Sequence, residues 1–262
     1  RRGSVMQRKQ SRKEYKRSCQ IFDEKSYCLG GYTQKVFLEG KKASNPMVLF
    51  LHGGPGSPFP FCAGGRGLFP EITDEYTMIY WDQLGCGIND FLIDDHFTVA
   101  HYVSMTVDLI RAISRDFPDQ PVHLFGVSWG SVLAVKAARQ IPELIGRVMV
   151  YGQVVKDLFF NREVYDCLQK AAVSDKERER IAALEKKVDH TKEDMGFFAG
   201  LIRKYTEGYQ AKEDGKMPIG RILWGILTSP DYSFANCKAL VVNGTRNNRS
   251  LYHELLKIDL TE

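Results

Sequence analysis

The stretch Pro121–Gln140, PVHLFGVSWGSVLAVKAARQ, constrains this chain more than any other. An apolar run of strand length, Val122–Phe125, leads into Gly-x-Ser-x-Gly. A helix-forming segment then opens at the serine itself and stops near Pro142. A strand that turns into a helix over so few residues must bend sharply. Only small residues fit two positions before and two after the residue at the apex, so Gly126 and Gly130 read as steric requirements of a nucleophile elbow. The apex is Ser128. Its hydroxyl is lifted past the C-terminal edge of the strand, where open α/β sheets bind ligands, and the helix start behind it favours developing negative charge.

The surrounding pattern supplies the sheet that such a turn needs. Met47–Leu51 (MVLFL), Thr77–Trp81 (TMIYW), Val122–Phe125 (VHLF) and Arg147–Tyr151 (RVMVY) are short apolar runs separated by turn or helix signals. They read as buried parallel strands alternating with helices. Tyr32–Glu39 alternates polar and apolar residues and predicts a more exposed antiparallel strand or pair. Val99, Val103, Val107, Ile110, Ile113 and Phe117 recur at helical spacing behind a candidate N-cap, Thr98. The expectation is a doubly wound, mostly parallel α/β sheet over residues 21–154. Beyond it the texture is helical. Ser174–Glu177 is a capping box opening a charged helix through His190, Met195–Tyr209 traces another helix, residues 214–216 form a turn, and GRILWGIL and LYHELLKIDL read as further helices. Residues 155–262 are therefore expected to form a helical cap.

Charge and cysteine usage narrow the function classes. Residues 1–17 carry eight Lys or Arg and one Glu, whereas the rest of the chain has 36−8=28 basic and 32−1=31 acidic residues. The body is nearly neutral, which argues against a nucleic-acid groove. The head, residues 1–20, reads as a basic disordered leader; it lacks the apolar core of a signal peptide. No run reaches the ~18 apolar residues of a membrane span. The six cysteines (19, 28, 62, 86, 167 and 237) show no C-x-x-C spacing and read as reduced thiols of a cytoplasmic protein. No metal or organic cofactor is implied.

Two other loops belong with the elbow. HGGPG, His52–Gly56, follows the strand MVLFL, and its glycines let backbone N–H groups approach a ligand. YWDQLGCG, Tyr80–Gly87, ends the next strand. His52 and Asp82 both precede the serine, and they read as braces of their loops rather than as catalytic groups. Strand–HGGPG, strand–WDQxGxG and strand–GxSWGS, in this order, resemble the proline iminopeptidase family, serine peptidases of the α/β-hydrolase fold that release an N-terminal residue from short peptides. The resemblance is close over Tyr32–Tyr151 and looser beyond. It implies Ser128 as nucleophile and an oxyanion hole formed by the N–H groups of Trp129 and Gly54, with Gly53 as an alternative to Gly54. It also implies cap carboxylates that grip the substrate's amino group; Glu163, Glu207 and Glu213 are available, none of them aligned with the family's. Leu84 and Asn89 stand where the family usually has Arg and Ser, which bears on substrate range. The serine at the elbow argues against haloalkane dehalogenases and epoxide hydrolases, which place a carboxylate there.

In this architecture the triad runs Ser, acid, His. Only His190 and His253 follow Ser128, and both sit in helical patterns. ALVVNGTRNNRS could be a strand and acid turn with Asn247 in the acid's place. The alternative, that this segment still belongs to the cap, is preferred because a helix follows it. On either reading the base is missing, and the expectation is an incomplete hydrolase: a fragment, or a relative that has lost its C-terminal part. The expected substrate is a short peptide or a small amide or ester. Other α/β-hydrolases, such as an esterase or amidase, and an inactive relative are the alternatives.

Overall fold

A computed structural model describes residues 11–156, 160–187, 190–205 and 219–261. They fall into two compact units, residues 1–153 with 220–250, and residues 154–219 with 251–262.

The first unit is built on a six-stranded sheet. Its strands are β1 (Ile21–Leu29), β2 (Tyr32–Gly40), β3 (Met47–Leu51), β4 (Thr77–Tyr80), β5 (Val122–Val127) and β6 (Ile145–Tyr151), in the order β1-β2-β4-β3-β5-β6. β1 and β2 form an antiparallel hairpin across Gly30–Gly31, both at positive φ, as a two-residue hairpin turn requires. β2 meets β4 antiparallel, and β4, β3, β5 and β6 run parallel. The four apolar runs of the sequence are thus the four parallel strands. β3 and β4 are buried at every position, as expected where both faces of a strand are covered. β2 is less exposed than its alternation suggests: from Val36 to Gly40 every residue is buried, Glu39 included.

Two helices cover the sheet. α2 (Val99–Asp116) starts at Thr98, whose N–H donates to His101 Nδ1 (3.0 Å), and buries Val99, Tyr102, Val103, Thr106, Ile110 and Ile113 along one stripe. Its C-terminal end is tied to β1, where Asp116 Oδ2 accepts from Lys25 Nζ and from the Tyr27 hydroxyl, each at 2.9 Å. α3 (Trp129–Gln140) follows β5 directly.

Of the disordered leader expected over residues 1–20, the described part is ordered; residues 1–10 lie outside those described. α1 (Arg12–Ser18) is a helix with a complete capping box between Ser11 and Glu14. Its Tyr15 is buried, and the hydroxyl shares a 2.7 Å hydrogen bond with Thr73 Oγ1. A charge count misses this because one aromatic side chain with a partner fixes the helix, whatever the five charged residues around it do.

The break between units also differs from a single cut near residue 155. Residues 220–250 belong with the sheet. Asp231 makes a two-pronged ion pair with Arg66 (Nε–Oδ2 3.0 Å, Nη2–Oδ1 2.6 Å), and the Tyr232 hydroxyl donates to Asp82 Oδ2. α7 (Ile219–Leu227) packs Ile222 and Ile226 with Cys62 in a cluster that Leu68 and Phe69 flank. α8 is a short turn of helix, Phe234–Lys238. The second unit holds α4 (Arg162–Ala171), α5 (Asp175–Glu185) and α6 (Lys192–Tyr205) around Tyr165, Leu168, Ile181, Leu184, Phe198 and Leu201. α9 comprises Arg249–Leu255. α5 ends five residues short of His190, which instead stacks on Phe160 with ring centroids 3.6 Å apart. The Met195 side chain, Tyr209 and the turn expected at 214–216 lie outside the described residues.

Two buried charges give measurable consequences. Arg66 lies over the rings of Phe22 and Phe37, 4.1 and 4.4 Å from their centroids, and is nearly inaccessible. Removing its partner leaves an uncompensated buried cation, so Asp231→Ala should cost about 3–5 kcal/mol in urea unfolding. Glu39 accepts from the Tyr80 hydroxyl and from Gly67 N–H (2.8 Å). Burial pushes its carboxyl up to about 7. The neutral acid is thus favoured in the folded state, and its stabilising contribution is present below the unfolded value and lost as pH rises through about 7. Glu39→Gln should gain stability relative to the parent between pH 5 and 8, by on the order of 3 kcal/mol at the upper end. Parallel melts with the same pH slope for both proteins would refute this.

Candidate active site

The candidate site is where β3, β4 and β5 end. β5 runs to Val127, Ser128 caps α3, and Ser128 sits at φ 51°, ψ −118°. For a residue with a β-carbon this backbone costs of order 1–3 kcal/mol, and it persists only where the surroundings fix it. Three contacts do so. Ser128 N–H donates to Tyr151 O at the end of β6 (2.9 Å), Ser131 N–H donates to Ser128 O (2.8 Å), and the Ser131 hydroxyl donates to the same oxygen (2.6 Å). The two glycines are required sterically. A β-carbon on Gly126 would lie 2.5 Å from Gly130 O, and one on Gly130 would overlap the Leu51 carbonyl oxygen. α3 therefore crosses the end of β3 in direct backbone contact.

That crossing brings HGGPG to the elbow. The register pairs Leu51 with Gly126, so the next residues of both strands emerge side by side. A β-carbon on Gly53 would be 3.4 Å from Ser128 Cβ and 3.3 Å from Val127 O. Gly53 O accepts from Ser57 N–H (3.1 Å), closing the loop into a tight turn. Ser128 is partly accessible, whereas the Trp129 side chain is fully buried.

His52 and Asp82 serve their loops. His52 is inaccessible; Nδ1 donates to Gly53 O (2.9 Å) and Nε2 accepts from Gln83 N–H (3.0 Å). Both ring nitrogens are occupied, and burial pushes the imidazole down to about 4, so it stays neutral at physiological pH. Asp82 accepts from Ala63 N–H and Ile88 N–H, both at 3.0 Å, besides the Tyr232 hydroxyl. Burial raises its carboxyl, and these three donors oppose the rise. The positions that depart from the proline iminopeptidase pattern are structural as well. Leu84 is fully buried, and Asn89 bridges Lys35 of β2 and Asp82 O (Nδ2–O 2.9 and 2.7 Å).

Among the described residues no imidazole hydrogen-bonds the Ser128 hydroxyl. His123 lies at the far end of β5, about 16 Å away at 3.3 Å per residue. His96 and His101 line a groove with Gly30 and Tyr32. His190 and His253 are in the second unit. The segment weighed as strand and acid turn is neither. Val241 and Val242 N–H both donate to Lys238 O at the end of α8, and 244–247 is a 3-10 turn whose Gly244 N–H donates to Gly85 O (3.1 Å). The Asn247 side chain, Glu207 and Glu213 lie outside the described residues; Glu163 is exposed in the first turn of α4. No group of three His, Cys, Asp or Glu side chains among the described residues could hold a metal ion, and no described helix is long and apolar enough to cross a membrane.

The sequence reading did not single out Gln83. Trp129 Nε1–H donates to its Oε1 (2.8 Å), its Nε2 donates to His52 O (3.3 Å), and its N–H meets His52 Nε2. One buried side chain thus joins all three loops. Its place in W-D-Q-x-G was visible, but partners 31 and 46 residues away were not.

Comparison with known proteins agrees with the fold. Residues 46–206, more than half of the chain, match the α/β hydrolase fold family. The chain belongs to that family. It is 31% identical over 163 residues to a probable aminopeptidase, YbaC, of Bacillus subtilis, covering 62% of this chain and 50% of that one. It is 39% identical over 108 residues to a proline iminopeptidase of Lactiplantibacillus plantarum, covering 40% and 35%. The resemblance seen in the three motifs is borne out, and the chain spans half the length or less of these relatives. Among solved structures, a haloalkane dehalogenase variant from Bradyrhizobium elkanii superposes with a TM-score of 0.51 at 15% identity, over 88% of this chain and 70% of that one. An epoxide hydrolase from hot-environment metagenomes gives 0.50 at 15%, over 92% and 76%. At such identity these share the fold alone.

The elbow's geometry predicts opposite outcomes for two small substitutions. Gly130→Ala forces a methyl group into the Leu51 carbonyl and should abolish soluble expression or lower Tm by well over 5 °C. Ser128→Gly removes the β-carbon from a positive-φ position. It should raise stability by about 1 kcal/mol, the relieved strain being partly offset by glycine's larger unfolded-state entropy. A lower Tm for Ser128→Gly would show that the backbone is not strained there.

Proposed function

We propose that this chain carries the nucleophile and oxyanion hole of a serine hydrolase, most specifically an aminopeptidase of the proline iminopeptidase type. The single observation behind the proposal is the contact between the strained Ser128 turn and the Gly53–Gly54 loop. Ser128 Oγ attacks the carbonyl carbon of an N-terminal residue. The oxyanion receives the Trp129 and Gly54 N–H groups, with the Gly53 N–H as the alternative to that of Gly54. Collapse of the tetrahedral intermediate expels the amine of the remaining peptide and leaves an acyl-enzyme, which water hydrolyses.

The reading requires an imidazole to take the serine proton and an acid to orient it. The imidazole must come from outside the described residues of the sheet unit, whose own histidines are placed elsewhere. The same machinery can cleave small amides and esters, so substrate choice rests on the aminopeptidase names of the relatives. Six free cysteines support a reducing, cytoplasmic setting.

The test is hydrolysis by the full-length protein. Prolyl or other aminoacyl arylamides should be cleaved, and Ser128→Ala should lower kcat by at least about a thousandfold. Cleavage of simple esters but of no aminoacyl arylamide would leave an esterase. A folded protein that reacts with neither these substrates nor a fluorophosphonate would be an inactive relative.

A further inference from the structure

The polar bonds around Gln83 fix the direction of two peptide groups. The indole N–H of Trp129 can only donate, so the Gln83 amide must turn Oε1 toward it. Nε2 then faces His52 O, which can only accept. The backbone N–H of Gln83 donates to His52 Nε2, which therefore carries no proton; the proton sits on Nδ1 and is donated to Gly53 O. The His52 carbonyl is thus anchored on the Gln83 amide, and the Gly53 carbonyl on the His52 ring and the Ser57 N–H. The 52–53 and 53–54 peptides are trans, the cis bonds being at Pro55 and Pro60. In a trans peptide the N–H points opposite to the C=O. The Gly53 N–H therefore faces away from the Gln83 amide, and the Gly54 N–H away from the His52 ring and Ser57 N–H, in the loop that touches Ser128.

We infer that Gln83 is the positioning residue of the oxyanion loop, its side chain fixing the peptide that carries the Gly53 N–H and its backbone N–H bracing, through the His52 ring, the peptide that carries the Gly54 N–H, while it locks the same loop to the first helical residue after the nucleophile. The inference rests on the reading of Ser128 as nucleophile. Gln83 touches no substrate. Its effect passes through the His52 carbonyl, the His52 tautomer and the Trp129 ring, and its burial leaves no water to replace a lost bond.

The experiment compares Gln83→Leu, Gln83→Glu and Ser128→Ala in the full-length protein. Gln83→Leu removes both side-chain bonds. Gln83→Glu keeps an acceptor for the indole but sets a carboxylate oxygen against His52 O. Both should lower kcat about ten- to a hundredfold with KM changed less than about threefold, because misaimed donors weaken transition-state binding first. Amide hydrogen exchange supplies a readout independent of turnover. In Gln83→Leu the amides of Gly53, Gly54, Gly56 and Ser57 should exchange about tenfold faster, while those of α2 stay as in the parent. Unchanged loop exchange, or a kcat loss that merely follows the unfolded fraction, overturns the inference. If Ser128→Ala keeps its turnover, the nucleophile reading is what fails, and loop exchange still decides the role of Gln83.

Discussion

The close approach of two backbones, Gly130 against the Leu51 carbonyl, is the constraint on which the rest of this structure depends. It is possible only because Gly130 has no β-carbon, and it determines where α3 can start. With α3 pressed onto the end of β3, the residue between β5 and α3 has no room for ordinary backbone angles. Ser128 takes up the difference at positive φ. The same approach puts the loop after β3 beside that serine. The strain and the site thus have one cause, and neither can be relaxed without moving the other.

The loops around the elbow are held by buried polar groups, each with a defined partner. His52 is a neutral imidazole with both nitrogens used, Asp82 gathers three donors, and Gln83 spans from one loop to the elbow. Such groups contribute little net stability when satisfied, but leaving any of them unpaired is costly, so they select one arrangement over its neighbours. Arg66 with Asp231, and Asp82 with Tyr232, extend this logic to the segment 220–250. They pin it to the sheet although some 150 residues separate the partners.

One feature of the sheet runs against this tight closure. β6 pairs only with β5 among the described strands, and from Gly146 onward it is exposed, with Tyr151 at 69%. Val148, Met149 and Val150 leave apolar area open on an edge strand, an arrangement that invites pairing with another strand. The elbow leans on this strand too, because Ser128 N–H donates to Tyr151 O.

The amino-acid sequence alone determined the parallel strands, the elbow and its two glycines, because each follows from local rules: continuous apolar runs bury on both faces, and a strand that turns into a helix within three residues tolerates only small neighbours. It also placed His52 and Asp82 in their loops, since both precede the serine. Tertiary structure decided what local rules cannot reach. A charged head concealed a helix anchored by Tyr15, although Ser11 and Glu14 spelled its capping box. An apolar ALVV run failed to become a strand because its amides are satisfied by carbonyls of α8. Tyr32–Glu39 read as a more exposed strand, yet its last residue, Glu39, is a buried acid. Segment 220–250 reads as more of the helical region, yet it docks on the sheet through two side chains whose partners lie far upstream. In each case the deciding energy came from a partner distant in the chain, and composition and periodicity carry no record of such partners.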